Sequence, residues 1–443
     1  MFWNLVPDWL FLLSLGDRSD LSMNDMPQFS RRGFLRNSAI GFGAGTLTLG
    51  MGGAGALAET AGRAIGTGQT PPADPLERQP AGRPEPELDA ATRPTPLERQ
   101  LGWAVCGLGH FAQNYAIPAI GQASEARLTG LISGNRDKAL AVGAAWNVPE
   151  DAIQDYGMEG LADDPSIDIV YVITPNAIHE ENVITALEAG KHVLCEKPFA
   201  HNSAAAQRMM DAARAADRKI MIAYRAHFEP NNTALKEMVQ KGELGDIWYA
   251  TSDHHRPLDP SVERDHWRMV RDLAGGGSLM DIGIYSLNGL IWLLDEVPER
   301  LIATTFSPDT EDGRFGQVEA IGQVQLVFPS GRRANISSGY IASKKRIDLW
   351  GSDAVAVLDP ATEYSGNRLT LTTAEGQEMP TPSGPSEQQF TGQIDHFSKA
   401  VRDGIDILTP AEMGLRDMRL LEAIYVSAEQ GAWVDLNPDG TMR

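Results

Sequence analysis

Apolar and polar positions follow three different rhythms along this chain of 443 residues. From 101 to 224, short runs that are apolar almost throughout (102–107, 127–132, 168–173, 191–195 and 219–223) alternate with longer amphipathic stretches such as 179–190 and 203–217. A strand apolar on both faces has to be covered on both. Strands alternating with helices therefore predict a parallel sheet with a helix layer on each side. Beyond residue 246 the period becomes two. Apolar and polar residues alternate over 300–307, 317–328, 332–342, 345–350 and 355–358, with a turn at Ser330-Gly331. One buried and one polar face, strand after strand, predicts a second domain over 225–443 with a large, mainly antiparallel open β-sheet. Helices are expected at 277–294, 388–403 and 410–430.

The first hundred residues keep neither rhythm. Ser30-Arg31-Arg32-Gly33-Phe34-Leu35, a Gly/Ala-rich apolar run over 39–57 and the ending Ala56-Leu57-Ala58 stand in the order of a twin-arginine export signal. Residues 1–58 are expected to be that signal peptide, with Met23 and Met26 as alternative starts. Its apolar run is short and glycine-rich for a membrane span. The mature protein is therefore expected in the periplasm, free of the membrane. Residues 59–100 are rich in Pro, Glu, Arg and Ala and cannot bury a core alone. They read as a linker, or as an arm lying on a neighbouring subunit.

Charge and cysteine act by exclusion. Asp and Glu total 59 against 38 Lys and Arg, a net charge of -21, which argues against a nucleic-acid partner. Cys106 and Cys195 both sit in apolar, strand-like runs and read as buried free thiols. His254 and His255 are adjacent, so on a strand they point to opposite faces. No Cys/His/carboxylate cluster at ligand spacing accompanies them, and no metal is expected.

The first apolar run leads directly into Gly107-Leu108-Gly109-His110-Phe111-Ala112. This is the G-x-G-x-x-G/A fingerprint in its required setting, between a strand and a helix. Gly107 permits the turn, Gly109 lets the backbone approach a pyrophosphate, and the helix N-terminus favours the anion. The domain at 101–224 is thus read as a Rossmann dinucleotide-binding domain, and the whole as α/β followed by α+β. The second strand ends in Ser133-Gly134-Asn135-Arg136-Asp137-Lys138. No carboxylate stands at the tip to hold a ribose hydroxyl. A hydroxyl, an amide, Arg136 and Lys138 would instead accept a 2′-phosphate, which points to NADP. Thr174, Asn176, Lys197 and Arg225 fall at other strand C-termini, where such sheets bind ligands. Later in the chain, Asp281 and Tyr285 are four apart and share a helix face. The preceding Gly275-Gly276-Gly277 is expected to let that helix end approach a cofactor closely.

These residues have company. Gly107-Leu-Gly109, Ser133-Gly-Asn135, Cys195-Glu196-Lys197-Pro198, Trp267-Arg268 and Gly275-Gly-Gly-Ser-Leu-Met-Asp-Ile-Gly-Ile-Tyr285 closely resemble the Gfo/Idh/MocA oxidoreductase family, in its glucose–fructose oxidoreductase branch. The resemblance runs from about residue 102 to the C-terminal helices. It implies a tightly held NADP and a homo-dimer or homo-tetramer with arms reaching across subunits. Lys197 and Tyr285 would be catalytic, with Asp281 orienting the sugar or Lys197. His110, Phe111, Tyr156, His179, Glu196, Arg225, Trp267 and Arg268 join the cofactor set. Tyr364 and His255 stand on the substrate side. The implied activity oxidises an aldose at C1 to a lactone and reduces a second sugar. Two other readings fit the same residues: a conventional NAD(P)-dependent sugar or polyol dehydrogenase with exchangeable cofactor, and a non-catalytic NADP-binding sensor.

Overall fold

The computed structural model describes residues 96–443 apart from 380, 382, 383 and 387. The expected export signal, and the arm as far as residue 95, lie outside the described residues.

The apolar runs form the expected parallel sheet. Its strands are β1 (Leu101–Cys106), β2 (Ala126–Ile132), β3 (Ile153–Gln154), β4 (Ile169–Val172), β5 (His192–Cys195) and β6 (Ile220–Ile222), in spatial order β3-β2-β1-β4-β5-β6. Four helices cross over between them: α1 (Ile117–Gln122), α2 (Arg136–Trp146), α3 (His179–Glu188) and α4 (Ser203–Ala216). Strand order reverses between β1 and β4, which opens a crevice at their C-terminal ends. Trp103, Val105, Ile169 and Tyr171 face one helix layer, while Ala104, Cys106, Val170 and Val172 face the other. Both cysteines are buried and free.

Three more helices lead into and accompany the second domain: α5 (Pro230–Lys241), the short α6 (Arg271–Ala274) and α7 (Ile284–Leu294). Its sheet has nine strands: β7 (Ile247–His255), β8 (Arg300–Phe306), β9 (Ile321–Val327), β10 (Arg333–Gly339), β11 (Lys344–Gly351), β12 (Ala354–Leu358), β13 (Leu369–Thr373), β14 (Glu378–Met379) and β15 (Val434–Asp435). The order is β14-β13-β12-β11-β7-β10-β9-β8-β15, and every neighbouring pair is antiparallel except β7 with β10. The alternation read from the sequence corresponds to β8–β12. Central β7 was not expected from it, for a physical reason. Its inward positions include Ser252 and His254, so a buried strand reads as polar.

The chain closes with α8 (Gln388–Arg402) and α9 (Ala411–Gln430). α9 packs between α4 and β8. α8 returns to the first sheet: Phe390, Ile394, Phe397 and Ala400 bury against it, and Trp103 Nε1 donates to Ser398 Oγ at 3.1 Å.

Candidate active site

A cleft of about 890 Å³ lies at the C-terminal ends of β1, β2, β4 and β5, and β7 with the segment after it forms its opposite wall. The glycine turn makes the floor. Gly107 has φ 98°, and a Cβ there would stand 2.6 Å from Ile173 O, so only glycine fits. A Cβ on Gly109 would meet no protein atom within 4 Å, so this backbone is open to the cleft. The helix beginning at His110 presents its N-terminus there. Ala112 is fully buried, which keeps that helix against the sheet.

At the tip of β2, Ser133 Oγ accepts from Asn135 N at 3.1 Å, and Asn135 Oδ1 caps α2 by accepting from Lys138 N at 2.9 Å. Tyr156 closes this end, its ring 3.0 Å from where a Cβ on Gly134 would lie. Ser133, Gly134, Asn135 and Lys138 line the cleft, but Arg136 does not. As the first residue of α2, Arg136 projects to Glu150 and pairs with it at 2.8 Å on the surface. It stands outside the group that lines the cleft.

Thr174, Asn176 and His179 stand behind the turn after β4. Thr174 Oγ1 accepts from Asn182 Nδ2 at 3.1 Å, and Asn176 Nδ2 donates to Ala274 O at 2.8 Å. His179 is fully buried, with Nε2 2.8 Å from Thr174 O and Nδ1 3.6 Å from Cys195 Sγ. Burial holds its imidazole below the ordinary range. It lines the cleft, but its ring nitrogens are committed to protein atoms, so it braces the turn. Glu196 is likewise committed, accepting from Tyr171 Oη at 2.6 Å, and burial pushes its carboxyl up.

Lys197, Asp281 and Tyr285 meet at the other end. Lys197 Nζ donates to Asp281 O at 2.6 Å, lies 3.7 Å from Asp281 Oδ1 and stands 4.8 Å from the centre of the Tyr285 ring. Burial pulls the Lys197 ammonium below the usual lysine range, with Asp281 and Glu196 opposing. Asp281 Oδ2 accepts from Arg268 Nε and Arg256 Nη2, both at 3.1 Å, and from Tyr340 Oη at 3.2 Å. Burial alone would raise this carboxyl, but Arg268, Arg256 and Lys197 together hold it well below the carboxylate range. Asp281 is therefore a fixed anion.

Arg225 is the direct partner of the Tyr285 hydroxyl. Its Nε donates to Tyr285 Oη at 3.2 Å, and Thr362 O accepts from Nη2 at 2.8 Å. Gln389 Oε1, on α8, accepts from Nη1. Burial pushes the Tyr285 phenol up, and Arg225 draws it back. Tyr364 stacks against the other side of the same guanidinium, 4.4 Å away, within a cluster of Tyr115, Phe111 and Phe390.

Two expectations are corrected. His255 was placed on the substrate side, but β7 turns it to the outer face of the sheet, where Nε2 lies 2.8 Å from Ser337 Oγ. Its neighbour His254 faces the cleft instead, stacked on Tyr285 at 4.8 Å with Nδ1 3.0 Å from Thr362 Oγ1. The three glycines approach protein, not cofactor. Added Cβ atoms would stand 2.7 Å from His201 O at Gly275, 2.0 Å from Tyr425 Oη at Gly276 and 2.0 Å from Glu319 O at Gly277. The Glu319 carboxylate accepts from Gly277 N and Leu279 N, both at 2.8 Å, and so caps the helix that carries Asp281. Apart from Arg136, every other site residue named from the sequence lines the cleft, Trp267 included. His254 and Arg256 line it too, as do Tyr115, Asp265 and Lys345, which were not named. Period two along β7, counted from Ala250, would have turned His254 inward. The rest come together only through tertiary contacts.

The glycine turn, the helix N-terminus and the donors at the tip of β2 fit a nicotinamide dinucleotide. Comparisons with known proteins agree. Residues 101–224 match the oxidoreductase family with an NAD-binding Rossmann fold, and residues 236–436 match the C-terminal alpha/beta domain of that family. A D-xylose 1-dehydrogenase [NADP(+)] of Haloarcula marismortui is 29% identical over 352 residues, 77% of this chain and 95% of its own length. A D-xylose 1-dehydrogenase (NADP(+)) of Haloferax volcanii is 30% identical over 338 residues, 76% of this chain and 99% of its own length. Among solved structures, an aldose-aldose oxidoreductase from Caulobacter crescentus, complexed with glycerol, superposes with a TM-score of 0.73. It is 39% identical, covering 76% of this chain and 100% of the other. Through both of its domains and their order along the chain, this protein belongs to the Gfo/Idh/MocA oxidoreductase family.

Proposed function

We propose that this protein is an NADP-dependent sugar oxidoreductase that keeps its nucleotide, oxidises an aldose at C1 to the lactone and returns the hydride to a second sugar carbonyl. One observation carries the reading: a buried phenol, Tyr285, lies between the cations of Arg225 and Lys197 in the same cleft as the Gly107–Gly109 turn. The NADP(+) relatives and the aldose-aldose relative support it. A hydroxyl, an amide and Lys138 at the tip of β2, where NAD-preferring sites carry a carboxylate, support NADP over NAD.

A bound nicotinamide would supply the hydride acceptor and donor. The chain supplies the proton chemistry. Tyr285 takes the proton of the C1 hydroxyl in the oxidising direction and gives one to the developing alkoxide in the reducing direction. Arg225 stabilises the phenolate through a direct hydrogen bond, and Lys197 does so through space. Lys197 also offers donors to the sugar oxygen as its charge develops. Asp281 has Oδ2 saturated by three donors, which leaves Oδ1 for Lys197 or a sugar hydroxyl.

The twin-arginine motif supports export in the folded state and residence in the periplasm, where no nucleotide pool would recharge an empty enzyme. A retained nucleotide then needs a second sugar to reset it, which means ping-pong kinetics. The test is direct. Denatured as-isolated protein should release NADP stoichiometrically by mass spectrometry, and an aldose should raise the absorbance of the reduced nicotinamide in a single turnover. A ketose or a second aldose should then bleach it. Protein that is isolated empty, yet turns over with added nucleotide, would instead be a conventional dehydrogenase.

A further inference from the structure

The segment 256–270 runs from the end of β7 to α6 along the wall of the cleft, bringing Arg256, Asp265, Trp267 and Arg268 to its lining. Its first residues are tied to the body. Arg256 N donates to Gly339 O at 2.9 Å and Leu258 N to Tyr340 O at 3.0 Å, and the Leu258 side chain buries against Phe315 and Tyr340. Beyond Leu258 the apolar anchoring thins to Met269, which is partly buried against the same cluster. Among the described side chains of 259–270, the one that is buried is a carboxylate, Asp265, at 4% exposure. A segment with so little buried apolar area is held closed only weakly by it.

Four charges close it. Asp265 Oδ1 accepts from Arg256 Nη2 at 3.2 Å and from Arg268 Nη1 at 3.3 Å. The same two guanidiniums reach Asp281 Oδ2 at 3.1 Å each. Carboxylates and guanidiniums therefore alternate around a ring. Three members belong to the segment and the fourth to the helix that carries Tyr285. Arg268 also lies over the Trp267 ring at 4.4 Å, so the ring of charges fixes the position of that indole. Asp265 is what lets two like cations share one oxygen of Asp281. Without it, Arg256 and Arg268 repel each other beside the Lys197 ammonium, and Asp281 alone faces three cations.

We infer that Asp265 is the latch of this segment: a positioning residue that, through Arg256 and Arg268, holds 256–270 shut on the cleft and makes a bound dinucleotide slow to leave. The inference rests on the reading of the protein as an enzyme with a retained nucleotide, and it places the control of retention in a charge ring that touches the catalytic helix.

The experiment uses the mature protein loaded with NADPH. Release is followed by nicotinamide fluorescence after mixing with excess NADP+. Asp265→Asn is expected to speed release at least tenfold, with association no slower than in the unaltered protein, and Asp265→Glu to restore most of the difference. A purely structural role would lower binding capacity and melting temperature and leave the release rate of the folded fraction unchanged. If Asp265→Asn fails to fold, Arg256→Lys, which keeps the charge and loses the bridge, is expected to speed release in the same way. Release at the unaltered rate from a folded variant would overturn the latch, as would release from the unaltered protein within the mixing time. Protein that is isolated empty but, once loaded, still shows the tenfold difference would keep the latch and remove only the retained-nucleotide reading.

Discussion

Tyr285 sits under two cations that do different work. Arg225 reaches its hydroxyl directly, while Lys197 stands over the ring and binds the Asp281 carbonyl. The family resemblance paired Lys197 with Tyr285 as catalytic. In the folded protein the nearer cation is Arg225, and burial still holds the phenol above its ordinary range. The resting form is therefore the neutral phenol, and the sign of the pH dependence follows. Oxidation of the aldose needs the proton removed, so its single-turnover rate should climb as pH rises from neutrality toward the raised pKa. Reduction uses the phenol as found and should stay flat over the same range. Stopped-flow absorbance of the two half-reactions separates them, and equal slopes would remove Tyr285 from proton transfer. Tyr285→Phe is expected to slow both half-reactions by about 10²–10⁴-fold, with NADP still bound on mass spectrometry. His254, stacked on the same ring, shows why one position in the sequence misleads. Adjacent histidines are equal as letters, and only the pleat of β7 decides which one faces the cleft.

At the scale of elements, the helix expected over 277–294 forms, but its first turn is a π-helical turn, Leu279–Gly283, before α7 begins. Such a turn re-aims the side chains it carries, and Asp281 is among them. The three glycines ahead of it are required by packing. At Gly277 an added methyl would run into the Glu319 backbone, which cannot yield as a flexible side chain would. Gly277→Ala should therefore cost about 1–3 kcal/mol of stability and displace the Glu319 carboxylate from its two amides. Thermal denaturation gives the first effect. A fall in kcat without loss of bound nucleotide gives the second, and an unchanged melting temperature would count against the packing argument. β7 marks the limit of periodicity as a guide. The strand is central and paired on both sides, yet its inward polar residues, there to serve the cleft, hide it from a hydrophobicity pattern.

At the scale of the whole molecule, the two sheets are not independent. α8 comes late in the chain but packs on the first sheet, and its Gln389 holds Arg225, which in turn holds Tyr285. The phenol is thus positioned by a residue at the end of the first domain and another on a helix late in the chain. The assembly proposed for this protein, a homo-dimer or homo-tetramer with arms exchanged between subunits, belongs to this scale as well. Light scattering on the mature chain should give two or four copies. Removal of residues 59–95 should loosen that assembly and shift the mass toward smaller species on dilution. A mass unaffected by the deletion would leave the arm as a linker.

Local chemistry was enough to read the dinucleotide domain, because its requirements are local: a glycine at positive φ, a backbone open beside it, a helix N-terminus, and no carboxylate at the next strand tip. It was also enough for the period-two strands β8–β12, while the roles expected of Lys197, Asp281 and Tyr285 came from the family resemblance and not from their spacing. Folding decided which histidine of β7 meets Tyr285, that Arg225 is the cation on the phenol, and that Arg136 turns away to Glu150. It also joined Asp265, Arg256, Arg268 and Asp281 into one ring. Each depends on how separate elements are brought together by folding, near or far along the chain, and hydrophobic periodicity does not encode that meeting.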